Sequence, residues 1–418
     1  MDNRHRLLFL DPGHFHAALT LRVPHPRVAD DIVVYAPDSP ERRDFLALVN
    51  RFQARWRVDV VTTDDPLGAL IAERRGDVVV VAGKNGGKAR AIHRLHDAGF
   101  HVLADKPWLV EPGDLDDIRA SLTGPPLVAE IMTGRHDLFG RLLQRLVGSA
   151  GIFGRFRDEA PALELESLHY LAKLVDGVPL RRPWWFFDVR VQGSGIVDIP
   201  THLVDRAQWL TGDAGEPLAL IAARAWPTRV PVESFRAITG EPAVPAALTA
   251  SLDGDALRYL CNAELEFSLG SVTARARCGW ELATPVGGGD TTIAVAHGTH
   301  ATVRLEQSPR TGHRRQLVVE PRAAACVPAL HALVAAGQTE CPGVVVRKRD
   351  GERYEVAIPP ALDGGHETHF AHVLDQFLLD MDTLGGLGGH SGPAHVQLSR
   401  TLAKYTLLAE AVGATLRA

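Results

Sequence analysis

Short apolar runs alternate with amphipathic stretches along the first third of the chain. Residues 6–10 (RLLFL), 32–36 (IVVYA), 58–62, 77–82 (DVVVVA), 101–104 and 127–132 are brief and apolar, as strands buried on both faces are. Between them, residues 40–54, 66–75, 88–98 and 114–122 carry apolar side chains at helical spacing, and Asp64–Asp65 ahead of Pro66 marks a helix start. Strand and helix in alternation predict an α/β unit built on a parallel sheet. Pro125–Pro126 interrupts the pattern, which places a boundary between 123 and 133 and makes residues 1–130 the first domain.

Residues 131–418 read differently. Residues 257–269, 271–281, 291–296, 301–307, 316–320, 344–348 and 354–358 alternate or run apolar between short turns, a meander signature. They predict an α+β domain with a large, mostly antiparallel open sheet. Residues 162–177 read as helix, with His169 and Lys173 four apart on one face. A helix to Met381 follows Gly364–Gly365, and 393–416 is a final amphipathic helix.

Candidate chemistry gathers at two turns. The first, Asp11-Pro12-Gly13-His14-Phe15-His16, joins a strand to a helix, the arrangement in which backbone N–H groups meet a dinucleotide pyrophosphate. Gly13 matches the second glycine of that fingerprint, while Asp11 and His16 stand at the first and third. Asp11 is expected to turn into the loop and cap the helix. His14 and His16 have metal-ligand spacing, but no third ligand is identifiable in sequence and no metal is assigned. Asp38, at the end of the second strand, suits the ribose hydroxyls of NAD, and Arg42 and Arg43 leave NADP open. The second turn, Gly193-Ser-Gly-Ile-Val-Asp198-Ile-Pro-Thr-His202, leads into a helix from Pro200. An imidazole with a nearby carboxylate to orient it suits proton transfer. Just before it, Trp184, Trp185, Phe186 and Phe187 adjoin Asp188 and Arg190. Aromatic faces beside charged groups suit a sugar, and the bland alternative is core packing. Gly364-Gly-His366-Glu367-Thr-His369 supplies too few ligands for a metal alone.

Two segments together resemble the Gfo/Idh/MocA family of NAD(P)-dependent oxidoreductases. One is Asp105-Lys106-Pro107, at the end of a strand, matching the family's Glu-Lys-Pro. The other is Gly193 to His202, matching its Gly-Gly-Gly-x-x-x-Asp-x-x-x-His. The resemblance implies a Rossmann domain and an active site between the domains. It implies Lys106, Asp198 and His202 as catalytic residues. Gly13, His14, Phe15, His16, Asp38, Gly83, Asn85, Asp105 and Lys106 would hold the cofactor, with His169, Lys173, Trp185 and Arg190 at the substrate, a sugar derivative or polyol. Asp105 is one methylene shorter than the family's Glu, and Lys88 replaces a family His. A lyase or hydrolase working through transient oxidation, and a ligand-binding protein without turnover, are the alternatives.

Composition narrows the partners. A net charge of −5 with no basic stripe argues against nucleic acid. No apolar run reaches the ~20 residues of a membrane span. Four cysteines without Cys-x-x-Cys spacing and no secretory start point to reduced thiols in the cytoplasm. The family resemblance implies a homo-oligomer, dimer or tetramer.

Overall fold

The computed structural model describes residues 4–52, 56–159, 161–175, 178–212, 217–385 and 393–417. The expected ends of helices at 54 and 177 and the glycine-rich stretch 386–392 lie outside them, as does the side chain of His366. The chain forms two compact units, residues 1–136 with 365–409 and residues 137–364 with 410–418.

In the first unit, β1 (Leu7–Leu10), β2 (Asp31–Ala36), β3 (Arg57–Thr62), β4 (Val78–Val81), β5 (His101–Asp105) and β6 (Val128–Ile131) form a parallel sheet in the order β3-β2-β1-β4-β5-β6. Helices α1 (Phe15–Leu19), α2 (Pro40–Arg51), α3 (Pro66–Glu73), α4 (Lys88–Asp97) and α5 (Asp114–Ser121) connect the strands. The side chains of β1 and β4 are all buried, which is why these strands read as unbroken apolar runs. The order reverses between β1 and β4, so the turn after β1 sits at the switch point where α/β sheets take ligands.

The second unit holds α6 (Leu138–Val147) and a ten-stranded sheet. Its long strands are β7 (Leu163–Ala172), β8 (Leu218–Pro231), β9 (Ala256–Leu269), β10 (Val272–Ala283), β11 (Thr291–His297), β12 (Ala301–Gln307), β13 (Gln316–Pro321), β14 (Val345–Lys348) and β15 (Tyr354–Ala357). The order is β8-β9-β10-β7-β11-β12-β13-β15-β14, with Leu252–Asp253 paired beside β9. Only the β7–β10 pair is parallel among the described pairings of this sheet. Helices α7 (Pro200–Leu210), α8 (Val232–Thr239) and α9 (Cys326–Ala336) complete it.

Three expectations are corrected. Residues 163–172 are a strand, not a helix: Leu163, Leu165 and Ser167 are buried while Glu164 and Glu166 are less so, the period-2 signature. Pairing with β10 on one side and β11 on the other outweighs the helical spacing of the apolar residues. Strand β8 and helices α8 and α9 were not expected as separate elements.

The expected second domain, 131–418, is interrupted. The break falls after His136, and residues 365–409 belong to the first unit. Helix α10 (His369–Gly385) places Phe370, Val373, Leu374, Phe377, Leu378 and Met381 in one cluster with Leu7, Phe9, Val34, Val80 and Leu103. Helix α11 (Pro393–Arg417) sends buried Lys404 and Tyr405 to the Glu130 carboxylate on β6. The Tyr405 hydroxyl also accepts from the Trp108 backbone N–H at 3.0 Å. Both buried ions are thereby paired, as burial of charge requires.

Candidate functional site

The turn after β1 holds its shape without the usual glycines. Asp11 takes a left-handed φ of 37°, the conformation a first glycine would provide. Asp tolerates that region better than most side chains. The Gly13 and His14 N–H groups both donate to the Ala82 carbonyl, at 3.1 and 3.0 Å, tying the turn to the end of β4. Gly83 lies so close that a Cβ there would stand 2.4 Å from the Asp11 carbonyl oxygen. The expected cap by Asp11 is not made: α1 begins after His14 and has no side-chain cap. Burial raises the Asp11 carboxyl above its ordinary range, with Glu41 adding to the effect and Lys84 opposing it.

His14 and His16 turn to Asp105. Their Nδ1 atoms lie 3.2 and 3.0 Å from the same oxygen, Oδ2. The other oxygen, Oδ1, accepts from the Lys106 backbone N–H at 3.0 Å. Burial would raise the Asp105 carboxyl, but the two imidazoles, His16 foremost, hold it well below its ordinary range. Lys88 is buried and donates to the Asp105 carbonyl oxygen at 2.9 Å and to Asn85 Oδ1 at 2.6 Å. Asn85 is therefore engaged by the residue that replaces the family's His. Phe15 is exposed and packs edge-on to His16. Asp38, exposed at the end of β2, is held by Arg42 and Arg43 at 2.6 and 2.9 Å.

In the second unit the Gly193–His202 junction takes the expected form. Helix α7 starts with Pro200 in its first turn, Asp198 is buried ahead of it, and His202 is half-buried. Gly195 donates to the Leu260 carbonyl at 2.8 Å, and a Cβ on it would stand 2.4 Å from the Cys261 carbonyl carbon. The charge of Asp198 is felt by Tyr259 and Cys261, whose protons burial holds firmly, the Cys261 thiol being pushed up to about 12.

His169 and Lys173 do meet, through a residue that the sequence reading missed. Asp290 Oδ2 lies 3.2 Å from His169 Nδ1 and accepts from Lys173 Nζ at 2.7 Å. His169 Nε2 is 2.8 Å from Ser167 Oγ. Burial would raise the Asp290 carboxyl, but His169 and Lys173 bring it down to about 2. Its Oδ1 is buried and has no hydrogen-bond partner. A separation of 121 residues between His169 and Asp290 left no signal in sequence.

The aromatic segment turns inward. Phe186 and Phe187 belong to a core cluster with Phe235, Tyr259 and Trp280, and Trp184 packs against it. Trp185, expected at the substrate, is only 3% exposed, which weighs against stacking on a ligand. Arg190, expected there too, is clamped by Asp188 at 2.7 and 2.9 Å and by the Ala247 carbonyl.

Residues 142–413 match the family model described as "Putative oxidoreductase C terminal domain". No curated protein sequence matches the chain. A solved structure, an oxidoreductase of Parabacteroides merdae described as putative, is 32% identical, with 99% of this chain and 98% of that one covered and a TM-score of 0.91. GenD2 from gentamicin A biosynthesis, solved with NAD, is 14% identical, covering 99% of this chain and 94% of its own, with a TM-score of 0.58. KijD10, a 3-ketoreductase from Actinomadura kijaniata solved with NADP and TDP-benzene, is 14% identical, covering 99% and 98%, with a TM-score of 0.58. The last two likenesses are of fold.

Proposed function

Because the chain belongs to the Gfo/Idh/MocA-type oxidoreductases, we propose that it oxidises or reduces a CH–OH group of a sugar-like or polyol substrate with NAD, or with NADP. The observation that carries this reading is the α7 junction, with buried Asp198 just ahead of the helix and His202 in its first turn. In the oxidative direction the His202 imidazole takes the hydroxyl proton, Asp198 orients the ring, and the Lys106 ammonium offsets charge on the alkoxide oxygen. A bound nicotinamide supplies the hydride acceptor or donor.

The residues present fit such a cofactor. Asp38 offers an exposed carboxylate at the end of β2 for ribose hydroxyls, beside two guanidinium groups. Gly13 has room for close approach, since a Cβ there would meet nothing nearer than 3.5 Å. His14, Phe15, His16, Gly83, Asn85 and Asp105 surround that turn in the proposal. The binding of NAD by GenD2 and of NADP by KijD10, on the same fold, supports the reading. A hydroxyl-rich substrate suits Asp290, an ionised carboxylate with an unpartnered oxygen, flanked by His169 and Lys173.

One observation favours a binding protein without turnover: the Gly13 and His14 amides are already engaged by Ala82. Cytoplasmic location and a homo-oligomer remain part of the proposal; no described helix is long and apolar enough to cross a membrane.

The test is turnover with a panel of sugars and polyols, followed by reduced-nicotinamide absorbance. His202→Ala and Lys106→Ala should each lower turnover by roughly a hundredfold or more, with NAD affinity retained in His202→Ala by calorimetry. Unchanged turnover in His202→Ala removes that residue from the chemistry. Absence of NAD and NADP binding by the parent chain favours the binding-protein reading.

A further inference from the structure

We propose that the first unit carries a mononuclear transition-metal site, of the kind that takes Zn²⁺, built from His14, His16 and Asp105. Along the chain, His14 and His16 have no identifiable third ligand near them in sequence. The fold brings that ligand from the end of β5, 89 residues away. One ligand atom from each residue lies within 4.8 Å of the others.

The two imidazole-to-carboxylate spacings suit a coordination sphere. Tetrahedral ligands at about 2.0–2.1 Å from zinc stand about 3.4 Å apart. The two imidazole nitrogens lie 3.2 and 3.0 Å from the single oxygen Oδ2. His14 Nδ1 is buried and makes no hydrogen bond of acceptable geometry, although it points at a carboxylate oxygen. With its proton on Nε2, each imidazole turns an Nδ1 lone pair to Oδ2, the arrangement that a shared cation bridges. Two neutral imidazoles and one carboxylate make a donor set that zinc commonly takes, with a fourth position left to water or an exogenous ligand.

The surroundings fix the donors. Asp105 Oδ1 is held by the Lys106 N–H, its carbonyl oxygen by Lys88, and the His16 ring lies 4.8 Å from Phe370. Such outer contacts orient metal ligands. The second unit offers a contrast: His169 shares Asp290 with an ammonium, which already occupies the place of a cation.

The experiment is calorimetric titration of zinc chloride into the full-length protein after chelator treatment and dialysis. The expected result is one equivalent bound per chain. His14→Ala and His16→Ala should each weaken binding a hundredfold or more, and His169→Ala should leave it unchanged. His14→Ala guards against misfolding, because this imidazole is 37% exposed, and circular dichroism checks each variant. Cobalt(II) in place of zinc should give the visible absorption of a tetrahedral site in the parent and lose it in His16→Ala. No saturable binding to the parent, or binding unaltered in both histidine variants, overturns the site. Neither readout involves turnover or NAD, so its failure leaves the oxidoreductase reading intact.

Discussion

The two glycine-bearing turns solve one problem in different ways. In the second unit only Gly193 falls on a motif glycine when the motif is aligned on Asp198 and His202. Gly195, at an unspecified position of the motif, lies against the β9 backbone, where a Cβ would stand 2.4 Å from the Cys261 carbonyl carbon. In the first unit the fingerprint is eroded, yet the turn survives with its tasks reassigned. Asp11 takes the left-handed φ, and the close approach falls on Gly83, outside the fingerprint, facing the Asp11 carbonyl. Gly13, the glycine that still matches, is needed for neither. A degraded motif therefore reports relocated backbone duties before it reports a lost site.

The comparison breaks most visibly at Gly195. An added methyl would stand 2.4–2.6 Å from the carbonyl groups of Cys261 and Asn262, which are pinned in β9 and cannot yield as a side-chain tip would. Gly195→Ala should cost about 3 kcal/mol, at the upper end for overpacking. Urea unfolding followed by circular dichroism reads this. A loss below about 0.5 kcal/mol would mean the junction gives easily and that its glycine is not structural.

Asp11 gives an intermediate effect whose sign depends on pH. Its carboxyl is raised by burial, so the native state binds more protons than the unfolded chain above the ordinary value of 3.8. Stability contributed by this group therefore falls as pH rises from that value through the raised one. Asn tolerates the left-handed region as Asp does, so Asp11→Asn isolates the charge. The variant should be more stable than the parent at neutral pH, with the gap closing below pH 3.8. A gap that is constant with pH would show that the carboxylate carries no burial penalty.

What could be read in the sequence follows from how local each feature is. The first-unit strands are buried on both faces and bounded by turns, so β1, β2, β4 and β5 were legible to within a residue or two. Asp198 and His202 are four apart across a helix start and needed no tertiary information. Strand β7 was misread because its apolar residues satisfy a helical spacing by coincidence. The pairing of His169 with Lys173 came through that error, since an even spacing of four puts both on one side of a strand as well as of a helix. Helices α10 and α11 were legible as helices, α11 as an amphipathic one, but nothing local says which core an apolar face will join. Asp105 beside His14 and His16, and Asp290 beside His169 and Lys173, are long-range meetings that one sequence cannot display.

The smallest stability effect is the most informative about function. At Gly13 a Cβ would meet Gly83 Cα at 3.5 Å and the Glu41 side chain at 3.8 Å, ordinary contacts. Replacing a glycine by alanine at such a position narrows the unfolded ensemble and stabilises by about 0.4–1 kcal/mol. Gly13→Ala should thus unfold at the same denaturant concentration as the parent or slightly higher. The fold has no use for the missing side chain, so its absence is explained only if something else must come close to that backbone. A dinucleotide phosphate is the candidate, and a methyl group in its way should weaken NAD binding tenfold or more, about 1.4 kcal/mol. Unaltered stability with weakened NAD binding would assign Gly13 to the cofactor. Unaltered stability with unaltered affinity would show that the dinucleotide does not pass over this turn. The first turn would then differ from the second in purpose as well as in construction, with His14, His16 and Asp105 left as its chemistry.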